Sequence, residues 1–159
     1  MSTTTLERTG SEKDGPAVCP PREVVAVIVE WRQRIALFRR SQSVGHERGL
    51  WHCITGYVEA GVSPQQQALA ELEEEAGLSP LDLAAFQTGE QLLISDKAGN
   101  PWLVHTYTAV SKRRRLTINE EHDAYRWTIP AKVSRFSNRV PWLDTVLQST
   151  LLDSGTKAT

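Results

Sequence analysis

A glutamate-rich segment near the middle of the chain carries a complete set of helix signals, which constrain the fold more than any other feature. Ser63 is a good N-cap, Pro64 suits the first helical position, and Gln66 completes a capping box with Ser63. Gly77 is a fitting residue for the left-handed position after a helix. These signals predict a helix that begins at Pro64 and ends at Ala76.

Three carboxylates would share one face of this helix. Glu71, Glu74 and Glu75 stand at i, i+3 and i+4, whereas Glu73 would point to solvent. Their repulsion costs a few tenths of a kcal/mol per pair, and the helix dipole disfavours negative charge near a C-terminal end. A divalent cation would relieve both effects, and oxygen ligands suit Mg²⁺. The ordinary alternative is a solvated acidic face with no ligand.

The rest of the chain mixes strand and helix patterns without regular alternation, which predicts the α+β class. Apolar and β-branched runs predict strands at 23–31, 35–38, 51–58, 84–95, 102–111 and 124–128. The turn-forming cluster 96–101 predicts a hairpin, and 41–50 reads as a loop. Apolar spacing predicts a C-terminal amphipathic helix over 140–152. We expect a disordered tail at 1–20, one domain at 21–153 and a C-terminal tail at 154–159.

The composition limits the classes of partner. The net charge of −1 argues against bulk binding to nucleic acid, and no apolar run is long enough to span a bilayer. Cys19 and Cys53 supply neither a disulfide framework nor a metal pair. We therefore expect a cytoplasmic protein with a small-molecule partner, no nucleic-acid or membrane partner, and no assigned oligomeric state.

Residues 56–78 resemble the Nudix box, Gly-x5-Glu-x7-Arg-Glu-U-x-Glu-Glu-x-Gly-U, where U is a bulky aliphatic residue. Seven of its nine specified positions match: Gly56, Glu71, Leu72, Glu74, Glu75, Gly77 and Leu78. Val62 stands where the box has Glu, and Ala70 stands where it has Arg. The broader resemblance covers residues 22–152. It implies an α/β/α sandwich with a central mixed sheet between the box helix and the C-terminal helix.

The resemblance also implies roles for the box residues. Glu71 and Glu75 would be the principal ligands of Mg²⁺, or of Mn²⁺ as an alternative, with Glu74 assisting and the Gly56 carbonyl completing the sphere. Glu74 and Glu75 would share in catalysis as well. The metal would neutralise a diphosphate and acidify a bound water. The implied protein is a pyrophosphohydrolase.

The two departures from the box separate two hypotheses. In the family the Arg helps to orient the catalytic Glu, and here that support must come from elsewhere. Loss of both charged residues avoids leaving one of them buried and unpaired. The first hypothesis is an enzyme. The second is a catalytically impaired module that binds a nucleotide as a sensor or partner domain.

A second resemblance lies downstream. Residues 121–127 and 137–139, together with Trp51 before Gly56, resemble the branch that includes dihydroneopterin triphosphate pyrophosphatase. This implies release of pyrophosphate from a pterin or nucleoside triphosphate such as dATP. A nucleotide-sugar or ADP-ribose hydrolase differs only in substrate. Glu121 would be the extra catalytic carboxylate, and Glu120 is its rival.

Several side chains are candidates for substrate binding. Arg39 and Arg40 end a strand near the expected diphosphate, and strand alternation lets only one of them face the site. Trp51 and Tyr57 would stack on a base or pterin ring, although aromatic residues in strands are more often core. Arg139 would touch phosphate or cap the last helix. We expect structural roles for His52, His105 and His122, core packing for Tyr107, and a solvated loop for the basic run 112–115.

Overall fold

The computed structural model describes the backbone of residues 20–158 and the side chains of residues 20–150. Its strands are β1 Arg22–Trp31, β2 Arg34–Arg40, β3 Trp51–His52, β4 Ile54–Tyr57, β5 Leu83–Ser95, β6 Pro101–Ser111 and β7 His122–Thr128. The α-helices are α1 Pro64–Ala76 and α2 Leu143–Ala158, and two 3₁₀ turns cover Pro80–Asp82 and Pro130–Arg135. The expected tail at 1–19 and Cys19 lie outside the described residues.

All seven strands form one mixed sheet. Its main path runs β3–β2–β1–β6–β5, and β1 pairs with β6 in parallel while the other pairings are antiparallel. β4 pairs with β1 and β7 pairs with β2, so β1 and β2 separate beyond their short hairpin contact. The segment 51–57 therefore bridges the two strands.

The sheet lies between the two helices, which confirms the expected mixed α/β sandwich. Alternate residues of β1 enter opposite cores: Val25 packs in the core that contains α1, and Val24 packs in the core that contains α2. The α1 core includes Leu72 and the α2 core includes Leu143. Among residues 20–150, no helix is long and apolar enough to cross a membrane.

The structure corrects three boundaries. The strand expected over 51–58 with an interruption at Gly56 is instead broken at Cys53 into β3 and β4, and Gly56 lies within β4. The C-terminal helix begins at Leu143, after Pro141, and continues to Ala158 rather than ending at Leu152, so it overlaps the expected tail at 154–159. The 3₁₀ turn Pro130–Arg135 was not expected, because a turn this short has no 3.6-residue periodicity to reveal it.

Candidate functional site

Helix α1 is fixed at both ends, as its sequence predicts. Ser63 Oγ accepts a 3.1 Å hydrogen bond from the Gln66 amide, and Gln66 Oε1 accepts one of 3.1 Å from the Ser63 amide. Gly77 has φ +71°, a left-handed conformation that glycine adopts without strain. Arg113 donates a 2.6 Å hydrogen bond to the Gly77 carbonyl oxygen, so one member of the basic run supports the helix end.

Two of the three predicted carboxylates are buried and one is not. Glu71 and Glu75 are only 9% and 2% exposed, whereas Glu74 faces solvent with Glu73. The buried pair lies one helical turn apart and is in hydrogen-bonding contact. The core of the acidic face is therefore the Glu71–Glu75 pair, and Glu74 flanks it.

Glu75 lies in an unusual environment for a carboxyl group. Burial raises the pKa of Glu75 far above its usual range, and the hydrogen bond and charge of Glu71 raise it further. Glu75 Oε2 is buried and has no hydrogen-bond partner among the described residues. His122 Nδ1 lies 3.8 Å from Glu75 Oε1, which is too far for a hydrogen bond.

Gly56, at the centre of β4, faces the carboxylate of Glu71. A Cβ atom added at Gly56 would lie 2.6 Å from Glu71 Cγ and would overlap the carboxylate itself. Only a residue without a side chain allows Glu71 to lie against this strand. The backbone of Gly56 and the carboxylate of Glu71 are thus brought together, as the box predicts.

Two further charged groups face the pair from other elements. Glu121, just before β7, is partly buried, and its pKa is raised first by burial and then by the charge of Glu71. Glu120 is exposed, and its carbonyl accepts a 2.6 Å hydrogen bond from Ser41 Oγ. The positive charge of Arg40 lowers the pKa of both Glu75 and Glu121, against these larger effects. Of the two, Glu121 is the partly buried one, and its charge interacts with both Glu71 and Glu75.

The donor set fits a hard divalent cation. Glu71, Glu75 and Glu121 offer oxygen atoms only, and Glu75 Oε2 is buried with no hydrogen-bond partner among the described residues. Within residues 20–150, no three Asp, Glu, His or Cys side chains yet converge on a single point. Complete coordination would therefore require Glu74 or Glu121 to rotate inward, which their exposed or partly exposed positions permit.

Arg39 and Arg40 diverge at the end of β2. Arg39 forms a 2.6 Å ion pair with Asp123 and lies over the ring of Trp51, 5.6 Å from its centroid. Arg40 acts electrostatically on the buried carboxylates, and its Nε donates a 3.2 Å hydrogen bond to the His46 carbonyl. A bulge in the pairing with β7 lies between the two arginines. Arg39 therefore belongs to the Trp51 side of the strand, and Arg40 is the arginine whose charge acts on the buried carboxylates.

Trp51 borders an open groove beside the last 3₁₀ turn. Its ring meets Phe136 edge-on at 5.2 Å, and its backbone amide donates to the Asn138 carbonyl at 2.7 Å. The groove has a volume of about 500 Å³ and its charged lining is entirely basic. Its lining residues are Trp51, Arg126, Trp127, Thr128, Lys132, Arg135, Phe136, Ser137 and Asn138.

The other two predicted substrate contacts lie away from the carboxylates. Tyr57 is 53% exposed and lies beside Trp102, with ring centroids 5.8 Å apart. Since its neighbour Gly56 faces Glu71, strand alternation directs Tyr57 to the opposite face. Arg139 forms a bidentate pair with Asp144, at 2.8 and 2.9 Å, and also donates to the Phe136 carbonyl. Phosphate binding by Arg139 would compete with this pair.

The remaining candidates occupy mainly structural positions. Tyr107 stacks on Phe86 at 5.2 Å inside the α1 core, and His105 forms a 2.7 Å contact with Glu23. His52 is fully buried against Trp142, with ring centroids 4.5 Å apart. His122 differs from the expectation, because it lies beside Glu75 at the edge of the acidic cluster.

Gln67 is a site residue that the sequence interpretation missed. It is 4% exposed, and its amide group links Glu71 to the backbone of Glu59. Val62 and Ala70, the two departures from the box, are partly buried nearby in the sequence and carry no polar group. The i, i+4 spacing of Gln67 and Glu71 was the signal available in the sequence.

Comparison with known proteins agrees with this architecture. A sequence profile described as the NUDIX domain matches residues 20–149. A MutT protein from Methanosarcina mazei Go1 superposes with a TM-score of 0.72 at 16% identity, covering 87% of this chain and 96% of that one. The NUDIX domain of Shewanella oneidensis NrtR, in complex with ADP ribose, gives a TM-score of 0.69 at 18% identity, covering 92% and 94%.

A curated relative is closer in sequence but much longer. An octanoyltransferase from Myxococcus xanthus is 38% identical over 125 residues, which is 73% of this chain and 33% of that protein. The chain thus spans about a third of the relative it matches. The profile match covers most of the sequence and contains the buried carboxylate pair. The chain belongs to the NUDIX domain family.

Proposed function

We propose that the protein is a Mg²⁺-dependent hydrolase of a nucleoside or pterin triphosphate, such as dATP or dihydroneopterin triphosphate, and that it releases pyrophosphate. The observation that carries the proposal is the buried Glu71–Glu75 pair, which lies against Gly56 and is faced by Glu121 and Arg40. A pair of buried carboxyl groups is costly for a fold, and it becomes useful when a bound cation neutralises their charge.

The residues of the cluster divide the chemistry between them. Glu71 and Glu75, with Glu74 and the Gly56 carbonyl, would hold a Mg²⁺ ion that neutralises the diphosphate and acidifies a water molecule. Glu121 would accept a proton from the attacking water, because burial and the charge of Glu71 raise the pKa of this carboxyl above its ordinary value. Water oxygen bonds to the α-phosphorus, the bond from that phosphorus to the bridging oxygen breaks, and pyrophosphate leaves. Arg40 stabilises the charge that develops on the phosphate oxygens.

The groove beside Trp51 is a suitable place for the aromatic ring of the substrate. Trp51 and Phe136 offer apolar ring surface, and Arg39 lies over Trp51. Trp51 and Phe136 pack on the α2 core whereas Glu71 and Glu75 belong to α1, so a substrate that reaches both would have to pass the end of β2 at Arg39 and Arg40. We place Tyr57 and Arg139 as outer contacts, which a bound substrate would reach only with side-chain rearrangement.

A second function is favoured by two observations. Val62 and Ala70 lack the charged groups that the box supplies, and a structural neighbour, the NUDIX domain of NrtR, is described as a complex with ADP ribose. These features suit a module that binds a nucleotide such as ADP ribose without efficient turnover. A nucleotide-sugar or ADP-ribose hydrolase is the intermediate case, with the same chemistry on another diphosphate.

A substrate panel tests these proposals. Release of phosphate and pyrophosphate is measured with Mg²⁺ for dihydroneopterin triphosphate, dATP, other nucleoside triphosphates, 8-oxo-dGTP and ADP-ribose, each repeated with a chelator. We expect chelator-sensitive pyrophosphate release from a triphosphate. Turnover of ADP-ribose and of no triphosphate would indicate that the protein hydrolyses a diphosphate substrate instead. Tight binding by calorimetry without turnover of any compound would establish the binding module instead.

A further inference from the structure

We propose that Gln67 is the positioning residue of this site, and that its amide group replaces the missing Arg and Glu of the box in orienting Glu71 toward a divalent cation. The inference rests on the proposed function, because it concerns the same cation. Two hydrogen bonds of the buried Gln67 amide carry the inference: its nitrogen donates to Glu71, and its oxygen accepts from the Glu59 backbone. Gln67 does not contact substrate in this account, and it acts through Glu71.

Gln67 connects the first turns of α1 to the loop before the helix. Its Nε2 donates a 2.8 Å hydrogen bond to Glu71 Oε2, and its Oε1 accepts one of 3.1 Å from the Glu59 amide. Both bonds are within normal length, and the side chain is 4% exposed. The helix places the two side chains on one face, because they are four residues apart.

The amide orientation is determined by its neighbours. Reversing the Gln67 amide would turn Oε1 toward the Glu71 carboxylate, which has no proton donor to spare once it is ionised. It would also turn Nε2 toward the Glu59 N–H group, a second donor. Only the observed orientation satisfies both partners. Gln67 therefore presents an N–H donor to Glu71 and fixes the orientation of its carboxyl group.

Glu71 is held from two sides as a result. Gly56 closes one side, because even a Cβ atom there would overlap the carboxylate, and Gln67 closes the other. A carboxylate fixed in this way loses less side-chain entropy when it binds a cation. The neutral amide also leaves no buried charge to be paired, which agrees with the simultaneous absence of Glu at position 62 and Arg at position 70.

The test measures the affinity of the full chain for Mn²⁺, by electron paramagnetic resonance, and for Mg²⁺, by calorimetry. Gln67→Met keeps the length and apolar volume of the side chain but removes both hydrogen bonds. We expect it to weaken the affinity for either ion by about tenfold or more, as the loss of an outer support of a metal ligand commonly does. With the best substrate, kcat should fall at saturating Mg²⁺ while KM changes by less than about threefold.

Two controls separate positioning from stability. Gln65→Met makes the same change at an exposed position of α1, and Leu69→Ala removes a partly buried side chain that packs on the core without touching Glu71. Both should bind Mn²⁺ as the wild type does, even if Leu69→Ala melts at a lower temperature. If Gln67→Met does not fold, Gln67→Asn tests the same bonds, because its shorter amide cannot reach both partners.

The outcomes distinguish the two proposals. Folded Gln67 variants that bind Mn²⁺ within twofold of the wild type would overturn the role of Gln67 while leaving the proposed function intact. Equal weakening in Leu69→Ala would also overturn it, since the effect would then follow stability. A wild-type chain that binds neither ion would overturn the proposed function and this inference together.

Discussion

Gly56 and Glu71 are in such close contact that the carboxylate occupies the space where any other residue at position 56 would place its side chain. The Glu71 side chain on α1 therefore fits against β4 only because position 56 is glycine. We predict that Gly56→Ala displaces the Glu71 carboxylate, because a flexible side-chain end gives way more easily than the sheet does. The variant should lose at least about 100-fold in kcat/KM but only about 1–3 kcal/mol in the free energy of unfolding.

Gly45→Ala is the matched control for this change. A Cβ atom at Gly45 would meet nothing within 4 Å, and this glycine has no positive φ. Enzyme assays and urea denaturation of both variants check the prediction. Full activity in a folded Gly56→Ala protein would show that Glu71 does not need its observed position.

Glu121 and Glu120 are adjacent but should differ sharply in function. Only Glu121 faces the buried pair, and its raised pKa suits a group that accepts a proton from water. Glu121→Gln should lower kcat by about 10²–10⁴-fold, and Glu120→Gln should stay within about threefold of the wild type. Steady-state kinetics of the two variants, with circular dichroism as the check on folding, decide between them. Equal losses of kcat in the two variants would contradict the assignment of Glu121 as the general base.

Arg39 and Arg40 should also separate in their kinetic effects. Arg40 acts on the charges of the carboxylate cluster, so Arg40→Met should lower kcat/KM by about 100-fold, mainly through kcat. Arg39 is paired with Asp123 and lies over Trp51, so Arg39→Met should raise KM with kcat nearly unchanged. A loss of kcat in Arg39→Met, with only a higher KM in Arg40→Met, would place the diphosphate beside Arg39 instead.

His52 should make the fold sensitive to acid. Burial, followed by the charge of Arg40, lowers the pKa of His52 from 6.5 to about 3. Between these values the unfolded chain binds the proton and the folded chain does not, so stability is complete above about pH 6.5 and falls as the pH drops. The slope from this one group is at most about 1.4 kcal/mol per pH unit.

Urea denaturation between pH 4 and pH 7 measures this slope. His52→Phe should reduce it, whereas His46→Gln, which alters an exposed histidine, should leave it unchanged. His122 retains a slope of its own, because the pKa of this ring is lowered to about 4, chiefly by burial. An unchanged slope in His52→Phe would show that the ring is not kept neutral by the fold.

Local signals in the sequence were sufficient for helix α1. Its caps, proline and terminal glycine are each read from neighbouring residues, and the structure reproduces both ends. The mixed sheet was expected from the family resemblance, but the pairing and register of its strands were not. The parallel register of β1 with β6 joins residues about 80 positions apart, such as Val25 and His105, and no local pattern encodes it.

The candidate site shows the same division. The three glutamates were identified from helical spacing and Gly56 from the resemblance to the box. Burial separates Glu75 from Glu74, and burial depends on what packs above the helix. The choice between Arg39 and Arg40 depends on strand direction and a bulge, which are set by the pairing with β7. Gln67 was overlooked because its second partner is a backbone amide, which has no signature in the sequence.

The Mg²⁺ dependence of pyrophosphate release by the wild type and Glu75→Gln tests the central claim most directly. Glu75→Gln should fold at least as stably, because it removes a carboxyl group from a crowded buried pair. The wild type should show saturable activation by Mg²⁺ and no turnover with a chelator, and the variant should be at least about 100-fold slower at every Mg²⁺ concentration. Wild-type rates in Glu75→Gln, or turnover that persists with a chelator, would contradict a metal-dependent role for the buried carboxylate pair.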